Sequence, residues 1–170
     1  CDSLEGVLIQ NKEHITIGNK AFDDCGELRF VASNAMTATM MDDYNPSIYS
    51  FYQSDWIRSN SFFFAPEGAE GYGSNVNELW GYNDIANYNI ADMGECGKVL
   101  YAANSQGENI VAVRAGKEMP DKVILPEKTA YIYDFAFADT VSESGRYEVN
   151  WQDLDSLLWM GSYSFRDSQL

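Results

Sequence analysis

A spaced pattern recurs along this chain, and a recurrence of this kind constrains the fold more than any other local signal, because a fixed period of roughly 20 to 50 residues marks stacked-repeat architectures. The pattern is fullest in Ile15 to Val31, where five positions separate Ile17 from Phe22 and three separate Phe22 from Cys25. The same spacings join Ile132, Ala136-Phe137 and Thr140, and again Met160, Ser164-Phe165 and Ser168. At the N-terminus the period itself is visible. Cys1-x-x-Leu4-x-x-Val7-x-Ile9 lines up with Cys25-x-x-Leu28-x-x-Val31 after a shift of 24 residues. In the second copy Val123-x-Leu125-Pro126 takes the place of Val7-x-Ile9.

Each unit reads as one short strand, a turn and a compact return segment carrying Ala-Phe. About 23 residues cannot bury enough apolar surface to stand alone, so successive units must stack into one elongated interior. The N-terminal share of that interior is expected to be Leu4, Val7, Ile9, Ile17, Ala21, Phe22, Cys25, Leu28 and Val31. The C-terminal share is Val123, Leu125, Ile132, Ala136, Phe137, Met160 and Phe165. Cys, Thr or Ser at the last position suits a tight interior site. The Gly after the lead apolar residue suits a turn that needs positive φ.

The unit resembles the BspA-type leucine-rich repeats of bacterial surface proteins, which read approximately L-x-x-I/V-x-L/I-P-x-x-L/V-x-x-I-G-x-x-A-F-x-x-C. Phe64-Ala-Pro66 through Gly68 to Tyr72 and Trp80 is similar to the segment that closes a block of such repeats. Val99-Leu-Tyr101 through Ile110-Val-Ala-Val113 to Lys117 and Val123-Ile-Leu-Pro126 is similar to the segment that opens one. Arg114 stands where a second proline is usual, Tyr133 replaces Gly, and Thr140 and Ser168 replace Cys. The resemblance spans about two thirds of the chain. It implies an α/β leucine-rich-repeat solenoid of short parallel strands with little helix, interrupted by one irregular aromatic-rich insertion. It also implies a non-enzymatic bacterial protein, secreted or displayed on the cell surface, that adheres to proteins or other cells.

The chain is expected to divide into an N-terminal repeat block over 1–90 and a C-terminal block over 91–170, in one continuous solenoid, with the Asn-, Asp- and Gly-rich stretch 81–98 as boundary. Glu67 to Leu79 reads as a short helix or helical turns. Asn104-Ser-Gln-Gly107 reads as the turn of a β-hairpin between Val99-Leu-Tyr101 and Ile110-Val-Ala-Val113. Phe137 and Phe165 are 28 apart, so that unit carries an insertion, placed at Val141 to Arg146. Insertions in solenoids become loops on one face. Cys1 admits a lipid anchor or a cut through a longer array, and the immediate repeat register of Leu4, Val7 and Ile9 favours the cut.

With 26 acidic against 11 basic residues and a net charge of −15, the chain is a poor partner for a nucleic-acid backbone. No run of 18 apolar residues is present to cross a membrane as a helix. Three widely spaced cysteines make no disulfide framework. The lone His14 excludes multi-histidine zinc sites and reads as solvated in a turn. No phosphate-loop, dinucleotide or nucleophile-elbow motif occurs. An enzyme built on carboxylates would need a cleft that desolvates one of them. No cofactor or metal is expected. Asp42, Asp43 and Asn45 read as a solvated turn in preference to a calcium site. Tyr44, Tyr49, Tyr52 and Trp56 are the candidate ligand-binding residues, as a platform for a sugar or peptide, and their plainer role is to seal the end of the first block. The expected partner is a protein or cell-surface ligand presented to a single copy of the chain, met by strand side chains such as Glu5, Leu8, Arg29, Lys122 and Ile124. The alternative is a glycan-binding accessory module of a surface polysaccharide-utilisation system.

Overall fold

Short β-rich segments that recur at a fixed interval have one economical arrangement, in which each coil lies on the last and pairs with it in parallel. The computed structural model describes residues 3–18, 21–22, 25, 27–40, 63–72, 76–77, 87–92 and 98–170. It forms two compact units, Cys1–Asn83 and Asp84–Leu170, each with its own core.

In the first unit, β1 (Gly6–Ile9) and β2 (His14–Ile17) form one coil, and β3 (Phe30–Ser33) and β4 (Thr37–Met40) form the next. β1 pairs with β3 in parallel, Val7 beside Val31, which is the 24-residue shift read from the cysteines. β2 pairs with β4, Ile15 beside Ala38. Each coil therefore holds two strands, one more than the sequence suggested. Along the second strand inside and outside alternate residue by residue: Ile15, Ile17, Ala38 and Met40 are buried, while His14, Thr16, Thr37 and Thr39 face out. β5 (Phe63–Phe64) and β6 (Val76–Asn77) extend the first sheet in parallel. Val31 lies beside Phe63, an interval of 32, so the second coil is longer than the first.

The second unit begins with an antiparallel meander of β7 (Asn87–Asp92), β8 (Lys98–Ala103) and β9 (Asn109–Ala115). The β8–β9 hairpin turns where the sequence placed it. Gly107 takes φ 81, its amide donates to the Asn104 carbonyl at 2.9 Å, and Asn104 Oδ1 accepts from the amides of Gln106 and Glu108. The chain then winds through β10 (Glu118–Met119), β11 (Lys122–Val123), β12 (Tyr131–Ile132), β13 (Val141–Ser142), β14 (Glu148–Val149) and β15 (Trp159–Met160). Parallel pairings β10–β13, β11–β14 and β12–β15 stack the coils at intervals of 23, 26 and 28.

These intervals locate the insertion. Three extra residues enter between Ser142 and Glu148, inside the stretch anticipated from the sequence, and two more enter between Val149 and Trp159, outside it. Between the coils Phe137 stacks on Phe165 with centroids 5.0 Å apart and planes 4° from parallel.

The expected α/β class gives way to a β-solenoid. Among the described residues there is no α-helix, only a three-residue 3-10 turn at Trp151–Asp153. The return segments show why. Phe135 and Asp139 have φ 57, and Tyr163 and Asp167, 28 residues later, have φ 55 and 53. A left-handed residue every fourth position cannot propagate a right-handed helix. The amides of Phe135, Phe137 and Asp139 turn along the stack instead, donating to the carbonyls of Ser162, Ser164 and Arg166 at 3.1, 2.7 and 2.8 Å. The expected helix over Glu67 to Leu79 is likewise replaced by a Glu67-Gly68 turn and β6.

Two further expectations are corrected. The Gly after the lead apolar residue does not adopt positive φ at either Gly18 or Gly161. At Gly161 the constraint is space, since a Cβ would meet Asp134 Oδ1 and the backbone of the coil before it. Of the anticipated core, Ala21 and Met160 are exposed, Met160 at 50% on β15, which among the described residues has a neighbouring strand on one side. Ile17, Cys25, Leu28, Val31, Val123, Leu125, Ile132, Ala136 and Phe137 are buried, while Leu4, Val7, Ile9, Phe22 and Phe165 are partly buried and pack on the two cores.

Candidate functional site

Val123 and Val149 point inward on β11 and β14, so strand alternation turns Lys122, Ile124 and Glu148 outward on the opposite face. Beyond β14 the chain cannot run on as strand, because this coil is two residues longer there than the one before it. The surplus closes into the 3-10 turn, with Asp153 N donating to the Asn150 carbonyl at 2.9 Å and Leu154 N to that of Trp151 at 3.2 Å. Leu154 is buried, which fixes the turn to the core.

Asn150 ties the coils together at this point. Its Oδ1 accepts from Leu125 N at 2.8 Å and its Nδ2 donates to Leu125 O at 3.1 Å, replacing both bonds of a strand rung. Trp151 stands edge-on to Phe165 at 5.6 Å and leaves 39% of its surface in solvent. The result is a groove of about 400 Å³ lined by Lys122, Ile124, Glu148, Asn150, Trp151, Gln152 and Asp153 together with Val123 and Val149. Its volume is at the small end of ligand sites, which run from roughly 300 to 1,000 Å³. Two apolar surfaces, Ile124 and the Trp151 ring, lie among one cation, two carboxylates and two amides. Such a combination is suited to contact with a ligand over apolar area and to orienting it by hydrogen bonds. Trp151 was not singled out from sequence, although the 28-residue interval signalled extra chain in its coil.

Tyr44, Tyr49, Tyr52 and Trp56, with Asp42, Asp43 and Asn45, lie outside the described residues. Of the strand side chains proposed for display, Lys122 and Ile124 are exposed and line the groove, Glu5 and Leu8 are partly covered, and Arg29 is 6% exposed. Arg29 therefore belongs to the interior and not to a binding face. His14 is exposed on β2, with Nδ1 3.0 Å from Thr37 Oγ1 and Nε2 3.2 Å from Thr39 Oγ1, so it bridges two coils from outside. Among the described residues no three His, Cys, Asp or Glu side chains converge to hold a metal ion. No described helix is long and apolar enough to cross a membrane.

A second polar cluster sits in the inserted loop after β13. Asp121 Oδ1 accepts from Ser142 Oγ and Ser144 Oγ, both at 2.7 Å, and Ser144 Oγ also lies 2.7 Å from the Arg146 carbonyl. The Ser144 hydroxyl, and then that of Ser142, stabilise the carboxylate and hold Asp121 below its ordinary value. All of these contacts are used in shaping the loop. Comparison with known protein families, with curated proteins and with solved structures returned no match.

Proposed function

We propose that this chain is a non-enzymatic binding module of a bacterial cell-surface or secreted protein, of the BspA-type leucine-rich-repeat kind, which uses its stacked coils as a rigid frame to hold another protein. The observation that carries the reading is the groove over β11 and β14. Its walls come from two successive coils locked at one register by Asn150, so its shape is set before a ligand arrives. Preorganisation of this kind lowers the entropy cost of association. Ile124 and Trp151 supply the anchors, and Trp in particular is a residue on which interface energy concentrates.

The glycan reading retains one observation of its own. The Trp151 ring, part-exposed beside Asn150, Gln152 and Asp153, offers an apolar face next to groups that accept and donate hydrogen bonds. One experiment weighs the two. The purified chain is applied side by side to a broad panel of immobilised secreted and surface proteins and to a broad glycan array. Saturable binding to a protein that weakens by about 30-fold in Trp151→Ala, the effect of a hot spot near 2 kcal/mol, supports protein adhesion. Binding confined to sugars and lost in the same variant moves the function to the alternative. Binding to either that ignores Trp151→Ala and Ile124→Asp removes the groove from the account.

A further inference from the structure

The charges around the groove point to the kind of segment it takes. We infer that it receives a basic stretch of the partner, with an arginine laid across Trp151 and held by Asp153; this rests on the protein-binding reading above and adds the chemistry of what is bound. Strand alternation turns Lys122, Ile124 and Glu148 out along the flank of the coils, a direction that stacking does not cover.

Where the charged heads stand decides the sign. Lys122 and Glu148 are paired in register on β11 and β14, so the one cation of the groove has a carboxylate as its cross-strand neighbour. Asp153 is then the surplus charge, on the 3-10 turn that also carries Trp151. Among the described residues the side chains of Lys122, Glu148, Gln152 and Asp153 enter no hydrogen bond or ion pair, so all four are open to a ligand.

A carboxylate two residues from an exposed indole on one tight turn suits a guanidinium better than any other side chain. The guanidinium plane stacks on the ring while its N–H fork reaches the carboxylate, and an ammonium does both less well. An acidic segment would meet two carboxylates for one cation in the groove, and a net charge of −15 over the chain. The same field draws a basic segment in, faster at low salt. Ile124, 56% exposed, gives an apolar neighbour of that arginine a surface to rest on, and a groove of about 400 Å³ has room for a few side chains and not for a folded domain.

The test uses the full chain and a short labelled peptide that carries two arginines and a leucine in a serine frame, with its lysine, glutamine and glutamate counterparts, titrated by fluorescence anisotropy at about 50 and 300 mM NaCl. The arginine peptide should bind about fivefold tighter than the lysine one, the glutamine and glutamate peptides should not bind, and salt should weaken what binds. Asp153→Asn should weaken the arginine peptide about fivefold and Lys122→Gln should strengthen it, both being changes at exposed heads. Glu143→Gln, at an exposed carboxylate outside the groove, should leave it within about twofold. The inference is overturned if no peptide binds, if the glutamine peptide matches the arginine one, or if Glu143→Gln weakens binding as much as Asp153→Asn. A protein from the panel that loses binding in Trp151→Ala but is indifferent to Asp153→Asn and to salt overturns the basic segment and leaves the adhesive reading standing. Trp151→Ala without effect on any protein removes that reading as well.

Discussion

Thr140 and Thr129 have the same side chain and the same burial, and opposite circumstances. The Thr140 hydroxyl lies 2.8 Å from the Phe137 carbonyl, to which it donates, and 2.8 Å from the Tyr147 hydroxyl. The Thr129 hydroxyl is buried and has no partner among the described residues. Replacing each by Val keeps the volume and removes the oxygen. Thr140→Val is expected to cost about 1 to 3 kcal/mol, because it strands two buried partners. Thr129→Val is expected to gain about 1 kcal/mol, since nothing is lost and an unpaired polar atom is removed. Urea denaturation of the two variants checks both signs, and a shared sign would contradict the assignment. The Thr140 position was legible in the sequence, because Cys25, Thr140 and Ser168 share one place in the repeat. The hydroxyls at that place each reach back three residues, Thr140 to Phe137 and Ser168 to Phe165, each at 2.8 Å. That bond was not legible, because a small-residue pattern records volume and not the acceptor behind it.

At the scale of the element, the register of the coils, their short parallel strands and the β8–β9 hairpin were open to reading, and the conformation of the return segments was not. Apolar residues at fixed intervals gave the 24-residue shift and the 28-residue interval, since a stacked core must meet itself at each turn. Nothing in the sequence marks Phe135, Asp139, Tyr163 and Asp167 as left-handed, since none is glycine; Phe135 and Asp139 are held so by the ladder to the next coil. The motif glycine was misread in the other direction. Gly18 has open space around its α-carbon and Gly161 does not. Gly161→Ala is expected to cost roughly 1 to 3 kcal/mol as an overpacking substitution, while Gly18→Ala is expected to leave thermal stability unchanged or slightly raised. Equal melting temperatures for the pair would argue against the close approach of Asp134.

The inserted loop adds a pH dependence at the same scale. Asp121 is held below its ordinary value of 3.8 by two serine hydroxyls, so what it contributes to stability is present above that value and is lost as pH falls through the lowered one. The stability gap between the native chain and Asp121→Asn should therefore be open at neutral pH and close as acid takes Asp121 through its lowered value, as followed by thermal melting. A gap that widens in acid would reverse the sign. The groove beside this loop was only half visible beforehand. Lys122 and Ile124 followed from strand alternation, but Trp151 reaches the groove through a two-residue lengthening whose position only the pairing reveals.

For the molecule as a whole, everything rests on parallel stacking at intervals set by the repeat. The cores of both units, the Phe137–Phe165 contact and the groove all follow from it. Interstrand nuclear Overhauser effects between backbone protons measure those intervals directly. The stacked solenoid predicts contacts across Val7 and Val31, across Val123 and Val149, and across Ile132 and Met160, in the slanted pattern of parallel strands. Contacts that join these segments in antiparallel order, or none between residues 24 to 28 apart, would contradict it.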